Sequence, residues 1–206
     1  MALREPNDDM PRPELEQLHT PHDFGHFLRS FIRDPKAIGA CAPSGRSLAR
    51  LMATDVAPGA KVLELGAGTG TVTAALLAKG VRPSDLHLVE CNRELVRILE
   101  RRFPRCQVIA ADALELDAHF SSPSQFDFVI SGLPLLLFSV EQRVKVLQQV
   151  LALLRPTGRL HQFTYGGRCP IDRDLRRTLR VDSELLGIAA LNLPPAFVYQ
   201  LTRQPG

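Results

Sequence analysis

Three carboxylates, Glu64, Glu90 and Asp112, are the residues around which chemistry can be built, because each follows a short apolar run and the first opens a glycine-rich turn. Val62-Leu-Glu-Leu-Gly-Ala-Gly-Thr-Gly-Thr71 sets Gly66, Gly68 and Gly70 around Ala67 and Thr69, immediately before the helix-favouring Val72-Thr-Ala-Ala-Leu-Leu-Ala78. This reads as a buried strand turning sharply into a helix. Glycine there supplies backbone angles that other residues resist and lets a ligand approach the main chain. In the dinucleotide fingerprint the third glycine lies five residues after the first; here it lies four after, and Thr71 takes the fingerprint position. The spacing speaks against NAD. A carboxylate two residues before the first glycine suits instead a nucleoside cofactor with a positive ammonium group and no pyrophosphate. Leu86-His-Leu-Val-Glu90 ends on an acid that can accept both ribose hydroxyls, with Cys91 next in line. Val108-Ile-Ala-Ala-Asp112 ends on an acid that, with the Ala113 N–H, is placed to read an adenine edge. Each acid alone has an ordinary reading as a helix cap or a solvated strand end. Three at successive strand ends converge on one ligand.

S-adenosylmethionine fits that description. The fourth strand, Phe126-Asp-Phe-Val-Ile-Ser131, delivers Ser131-Gly132-Leu133-Pro134 to the position where a transferable methyl group would be displayed. An adenine amino-methyltransferase would place Asn or Asp, then Pro, then an aromatic ring there. Here Ser131 replaces the amide and Leu135 the ring, so adenine is disfavoured as acceptor. A fifth strand ends in Gln162-Phe-Thr-Tyr-Gly-Gly167, followed by Arg168. Tyr165 and Arg168 either hold a phosphate on this edge, phenol beside guanidinium, or belong to an ordinary surface loop. Ser131 and Tyr165 are the candidate catalytic residues, Tyr165 as proton acceptor or as a contact to phosphate or ammonium. No Ser-His-Asp arrangement and no metal-ligand spacing stands out, and His87 and His161 read as core or edge histidines.

These residues need a scaffold. At 206 residues and 45% hydrophobic content the chain reads as one domain, with 1–19 flexible, 20–56 forming N-terminal helices and 57–206 the catalytic core. Strands near 61–65, 86–90, 107–111, 126–131 and 159–165 alternate with helices near 70–79, 92–103 and 139–154. That pattern predicts a parallel sheet covered on both faces. Leu185–Leu191 and Ala196–Leu201, joined by Asn192-Leu-Pro-Pro195, add an antiparallel pair at one edge. Upstream, Thr20-Pro21-His22-Asp23 starts a helix that Asp34-Pro35 ends. Phe24, Phe27, Leu28 and Phe31 form its apolar stripe, flanked by Arg29, Arg33 and Lys36. This stripe either packs on the domain as a lid over the cleft or docks on an anionic membrane. Net charge is only +3, though nearly all the cations are arginine, which favours local contacts to phosphate or carboxylate over a general affinity for nucleic acid. Four cysteines scattered without C-x-x-C spacing suggest neither zinc nor a disulfide framework, hence a reducing cytoplasm. No apolar run nears the roughly 18 residues of a membrane span.

Glu64-x-Gly66-x-Gly68-x-Gly70 resembles the first motif of class I methyltransferases. Taken with Phe27-Leu-Arg-Ser-Phe31, Pro35-Lys-Ala-Ile-Gly39, Ala42-Pro-Ser-Gly-Arg-Ser-Leu-Ala49, Ser131-Gly-Leu-Pro-Leu135, Gln162-Phe-Thr-Tyr-Gly166 and Asn192-Leu-Pro-Pro195, the chain is similar over 27–201 to bacterial phospholipid N-methyltransferases, which convert phosphatidylethanolamine stepwise toward phosphatidylcholine. The departures are Ala67, where many relatives carry proline, and Leu137, where a polar residue is expected. The resemblance implies a Rossmann-like doubly wound α/β sheet, mostly parallel with an antiparallel C-terminal edge strand. It also implies S-adenosyl-L-methionine as cofactor, a phospholipid amine as substrate, and an N-terminal helix on the anionic inner face of the membrane. A monomeric, peripherally attached cytoplasmic enzyme without metal or nucleic-acid partner follows. Ribosomal RNA adenine dimethylases, which share the fold and the glycine turn, are the alternative.

Overall fold

The computed structural model describes residues 43–165, 167–192 and 194–204. The expected helix over 20–33, with Phe24, Phe27, Leu28, Arg29, Phe31, Arg33 and the following Lys36, lies outside the described residues, as do Gly166 and Leu193 of the C-terminal motifs.

Helix α1 (Pro43–Met52) leads into strand β1 (Val62–Leu65). Three helices and four strands follow: α2 (Thr71–Ala78), β2 (Leu86–Glu90), α3 (Arg93–Arg102), β3 (Gln107–Ala110), β4 (Phe126–Ser131), α4 (Val140–Leu153) and β5 (Leu154–Thr164). A short α5 (Arg173–Leu179) then precedes β6 (Val181–Ala189) and β7 (Ala196–Arg203). The seven strands form one sheet in the order β3-β2-β1-β4-β5-β7-β6. β1 to β5 are mutually parallel; β7 runs antiparallel between β5 and the outermost β6. The antiparallel pair at the edge is therefore as the sequence indicates, with the last strand on the inside. The exposed Asp182 and Glu184 sit on the edge strand β6, where charge discourages further strand pairing.

Every residue of β1 and β2 is buried, as central strands covered on both faces require. On one face α1, α2 and α3 pack through Met52, Leu76 and Leu99 against Val62, Leu88 and Ile130. On the other α4 and α5 pack through Val146, Val150 and Leu175 against Leu63, Val129 and Leu160. The two expected core histidines are buried. His161 ties α1 to the sheet, its Nδ1 2.8 Å from the Met52 carbonyl oxygen and its Nε2 3.3 Å from Gln200 Oε1.

Capping explains where the helices begin. The Asn92 side chain accepts from the Glu94 and Leu95 N–H groups, Asp172 accepts from Leu175, and Ser139 and Gln142 make a reciprocal capping box at α4. Three local features depart from expectation. α5 is unannounced because its charged RDLRRTL sequence buries only Leu175 and has no apolar stripe. β6 starts at Val181 rather than 185, because Arg180 at φ 52° turns the chain directly out of α5 into pairing with β7. β5 starts at Leu154, which pairs with Phe126 across a register irregularity.

From β1 the sheet extends one way through β2 and β3 and the other through β4 and β5, so strand order reverses at the carboxyl end of β1. That is where an open α/β sheet leaves a crevice for a ligand.

Candidate active site

The Gly66–Gly70 turn fills the carboxyl end of β1. The Gly66 and Ala67 N–H groups donate to the Val89 carbonyl at 2.9 and 3.3 Å, which anchors the turn to β2. On the opposite side Gly132 donates to the Leu65 carbonyl at 2.8 Å, and a Cβ on Gly132 would stand 2.9 Å from the Gly66 oxygen. Gly132 is thus the residue that lets the end of β4 close against the turn. Gly68 has φ +57°, and a Cβ built there meets only the turn's own Gly66 oxygen at 3.9 Å. The space above it is open to a ligand.

Glu90 connects this turn to the next. Its Oε2 accepts from the Gly68 N–H and its Oε1 from the Asn92 N–H, both at 2.9 Å. Each carboxylate oxygen has two acceptor sites, so Oε2 keeps one for a hydroxyl, while the second site on Oε1 faces the weak thiol donor of Cys91. Cys91 Sγ lies 3.7 Å from Glu90 Oε1; partial burial pushes its pKa up, and the negative charges of Glu90 and Asp112 add to this, so it remains a thiol.

Glu64 stands one residue before the end of β1, only 3% exposed, and its Oε2 accepts from the Thr73 hydroxyl at 2.7 Å. Burial drives its pKa from 4.5 to about 8; the Thr73 hydrogen bonds oppose the rise and the charge of Glu90 adds to it. Glu64 lines a cavity of about 90 Å³ together with Met52, Ala67, Thr69 and Gly132. A wider cavity of about 570 Å³ opens between β2 and β3, bounded by Cys91, Arg97, Asp112 and His119. Asp112 lies two residues beyond β3, and its Oδ1 accepts from the Leu114 N–H at 2.9 Å, capping the 3₁₀ turn Ala113–Ala118.

At the end of β4, buried Ser131 pairs with Leu65 on one side and Gln162 on the other. Its Oγ accepts from the Leu133 N–H at 3.3 Å. Gln162 is fully buried and donates to the Leu133 and Phe163 carbonyls at 2.9 and 2.8 Å, which locks the Ser131–Pro134 turn onto β5. Tyr165, one residue past β5, stacks edge-on against Phe163 with ring centroids 5.3 Å apart. Burial pushes its phenol upward in pKa and a hydrogen bond with Asn192 lowers it. Tyr165 is therefore a neutral hydrogen-bonding group near pH 7.

These groups suit a cationic nucleoside cofactor: open space over a glycine at positive φ, a spare acceptor on Glu90, and a buried acid beside the turn. A protein-family profile described as a methyltransferase domain matches residues 62–158, which run from β1 into β5. The chain is also 32% identical over 187 residues to the ornithine lipid N-methyltransferase of Singulisphaera acidiphila, an alignment that covers 86% of this chain and 94% of that one. The chain belongs to the class I S-adenosylmethionine-dependent N-methyltransferases. A ribosomal RNA small subunit methyltransferase A from Methylococcus capsulatus is 28% identical over 63% of this methyltransferase and 49% of its own length. Among solved structures, Burkholderia thailandensis 1,6-didemethyltoxoflavin N1-methyltransferase with bound S-adenosylhomocysteine superposes with a TM-score of 0.66 at 21% identity, covering 91% of this chain and 92% of that one. It shares the fold.

The methyltransferase gathers Glu64, Gly66, Ala67, Gly68, Thr69, Gly70, Glu90, Ser131 and Gly132 around one turn, with Cys91 and Asp112 lining the neighbouring cavity and Ala113 buried behind it at the start of the 3₁₀ turn. Leu133 and Pro134 lie on the turn held by Gln162, while Arg168 is exposed on the β5–α5 connection. Sequence reasoning assigned no role to Thr73, Gln162 or Asn192. Thr73 is nine residues from its partner Glu64, with no spacing rule to connect them. Asn192 and Gln162 stand in the noted motifs Asn192-Leu-Pro-Pro195 and Gln162-Phe-Thr-Tyr165, but their pairings with Tyr165 and Leu133 arise only from strand packing.

Proposed function

We propose that the enzyme methylates the amine of a membrane-lipid head group, phosphatidylethanolamine or its partly methylated derivatives. The observation that carries this reading is the near full-length similarity to a lipid N-methyltransferase. Ser131-Gly132-Leu133-Pro134 supports it, since neither an amide nor an aromatic ring stands where an adenine site would need both. The relative's own acceptor favours a second reading within the class, the amine of ornithine lipid.

In this reading the Gly66–Gly70 turn, with Ala67 and Thr69, cradles S-adenosyl-L-methionine. Glu64 faces its cationic end, Glu90 accepts the ribose hydroxyls, and Cys91, Asp112 and Ala113 border the adenine. Ser131 and Gly132 present the methyl group. Leu133, Pro134, Tyr165 and Arg168 receive the head group, Tyr165 and Arg168 through its phosphate. The cofactor would supply an electrophilic methyl group on sulfur, leaving as the neutral thioether when a deprotonated head-group amine takes the methyl, and holding amine and methyl in line would supply on the order of 7–11 kcal/mol. The whole chain works as one domain and a monomer on the cytoplasmic face of an anionic membrane, held by residues 20–36. No helix among the described residues is long and apolar enough to cross a bilayer.

The test offers phosphatidylethanolamine liposomes, ornithine-lipid liposomes and ribosomal RNA side by side with radiolabelled methyl donor. Label in phosphatidylethanolamine supports the first reading and label in ornithine lipid the second. Label in RNA alone overturns both.

A further inference from the structure

The turn between β6 and β7 lies at the carboxyl edge of the sheet, because β6 and β5 each run antiparallel to β7 and so share a direction. Its tip is tied to the cleft. Asn192, buried in the turn, hydrogen-bonds to Tyr165, and the Tyr199 hydroxyl donates to the Gly167 carbonyl oxygen at 2.9 Å, next to exposed Arg168. Between Glu184 and Arg203 the sequence carries no charged residue, in a chain that is 23% charged. Leu185, Ile188, Ala190, Leu191 and Pro195 are the exposed residues described in that span, and all are apolar. Leu191, at the tip, is 73% exposed. The other large apolar side chains that stand exposed among the described residues are Leu136 and Val140, which follow the carboxyl end of β4. All of them therefore lie at one edge of the sheet or in the half of β6 that leads to it, on both sides of the end of β5.

A single exposed leucine is ordinary, but a row of them along one edge marks a contact surface. Asp182 and Glu184 guard only the first half of β6, and its second half offers an apolar strand edge. A second copy covers that edge poorly. Antiparallel pairing of two β6 strands across Leu185–Ile188 sets Asp182 and Glu184 of each copy against the apolar half of the other, which buries carboxylates without partners. The tip is also too small: Leu185, Ile188 and Leu191, even fully bared, fall well short of the roughly 800 Å² per partner that a stable protein interface buries. A bilayer needs neither that area nor a register. It accepts protruding apolar side chains at head-group level, where water still reaches the backbone groups on the outer edge of β6, the last strand of the sheet; those groups keep the strand out of the hydrocarbon core. Arg168, exposed on the neighbouring connection, supplies a cation that a lipid phosphate complements.

We infer that the carboxyl edge of the sheet lies on an anionic bilayer, with Leu191 and its hairpin neighbours seated among the lipid head groups, as a membrane contact separate in sequence from residues 20–36. It rests on the reading that the methyl acceptor is a membrane lipid, and it adds the direction in which the cleft faces. Head groups then meet Tyr165 and Arg168 directly, because the hairpin seated in the bilayer is the one bonded to Tyr165. A lipid amine reaches the methyl group while its acyl chains stay in the leaflet.

The chain contains no tryptophan, so Leu191→Trp places a single fluorescent reporter at the tip of the full chain. Ser121→Trp, exposed in the loop before β4 and hence at the opposite edge, is the control. Each is mixed with vesicles of equal parts phosphatidylglycerol and phosphatidylcholine, the latter with or without bromine on the upper acyl chain. The Leu191→Trp emission shifts to the blue on vesicles and is quenched by bromine, whereas the Ser121→Trp emission does neither. In a separate measurement Leu191→Asp weakens vesicle partitioning by about tenfold, while S-adenosylhomocysteine affinity stays at the wild-type value and reports an intact fold. Vesicle-bound protein whose Leu191→Trp emission remains that of water overturns the contact, as does Leu191→Asp partitioning like wild type. Protein that does not sediment with these vesicles at all overturns it too. A concentration-dependent dimer in sedimentation velocity that Leu191→Asp abolishes makes the hairpin a contact between copies and likewise overturns it. Failure of the acceptor reading appears separately, as label in RNA alone in the methyl-transfer assay. Label in lipid, with the reporter at position 191 still in water, removes this contact and leaves the acceptor reading standing.

Discussion

Glu64→Gln tests the electrostatics of the site most directly, because the acid is buried and its chemistry is tied to one measurable quantity. In the folded protein burial holds its pKa at about 8 against an ordinary 4.5. Each pH unit across that interval corresponds to about 1.36 kcal/mol, so ionising Glu64 in place costs on the order of 5 kcal/mol. The sign follows from proton counting. Between these two values the folded protein holds a proton that the unfolded chain has released, so stability falls as pH rises through the window. Below pH 4.5 both states are protonated and above pH 8 both are ionised, so the contribution is level at either end. Glutamine keeps an oxygen for the Thr73 hydroxyl, 2.7 Å away in the wild type, and cannot ionise. Urea unfolding from pH 5 to pH 8.5 should therefore show similar stability for the two proteins at pH 5 and a growing advantage for Glu64→Gln as pH rises. S-adenosylhomocysteine affinity should move the opposite way, weakened in the variant at pH 8.5, where the wild type offers a negative charge to the cofactor's ammonium. Parallel stability curves across the whole range would refute the reasoning, since Glu64 would then titrate alike in both states.

Gly68→Val should abolish S-adenosylhomocysteine binding by calorimetry, because its side chain enters the open space above the turn and φ +57° disfavours a β-branched residue; equal affinity would remove the cofactor from this turn. Tyr165→Phe and Arg168→Ala should each lower lipid methylation while leaving S-adenosylhomocysteine affinity nearly unchanged, and full turnover in both would take the head-group phosphate away from this edge. Phe27→Asp/Phe31→Asp should abolish cosedimentation with anionic vesicles without loss of fold, each aromatic contributing up to about 1.5–3 kcal/mol when fully buried in lipid. A folded double variant that pellets like wild type would reject residues 20–33 as the anchor.

Local chemistry was enough for the frame. The alternation of apolar runs with capped amphipathic segments implies a parallel sheet covered on both faces, since such strands must bury both surfaces. The helices expected near 92–103 and 139–154 begin at Asn92 and Ser139, whose side chains cap them by short-range geometry. The glycine spacing before α2 likewise marks the turn, because only a few residues can occupy positive φ. What the sequence could not settle depends on groups far apart along the chain. Glu64 reads as an ordinary strand-end carboxylate until α2 buries it against Thr73, and the desolvation that lifts its pKa is a property of that packing. Gly132 reads as a turn residue until β4 is laid against β1, where the Gly66 oxygen leaves no room for a Cβ. Gln162 and Asn192 acquire their partners only when β5, β6 and β7 assemble.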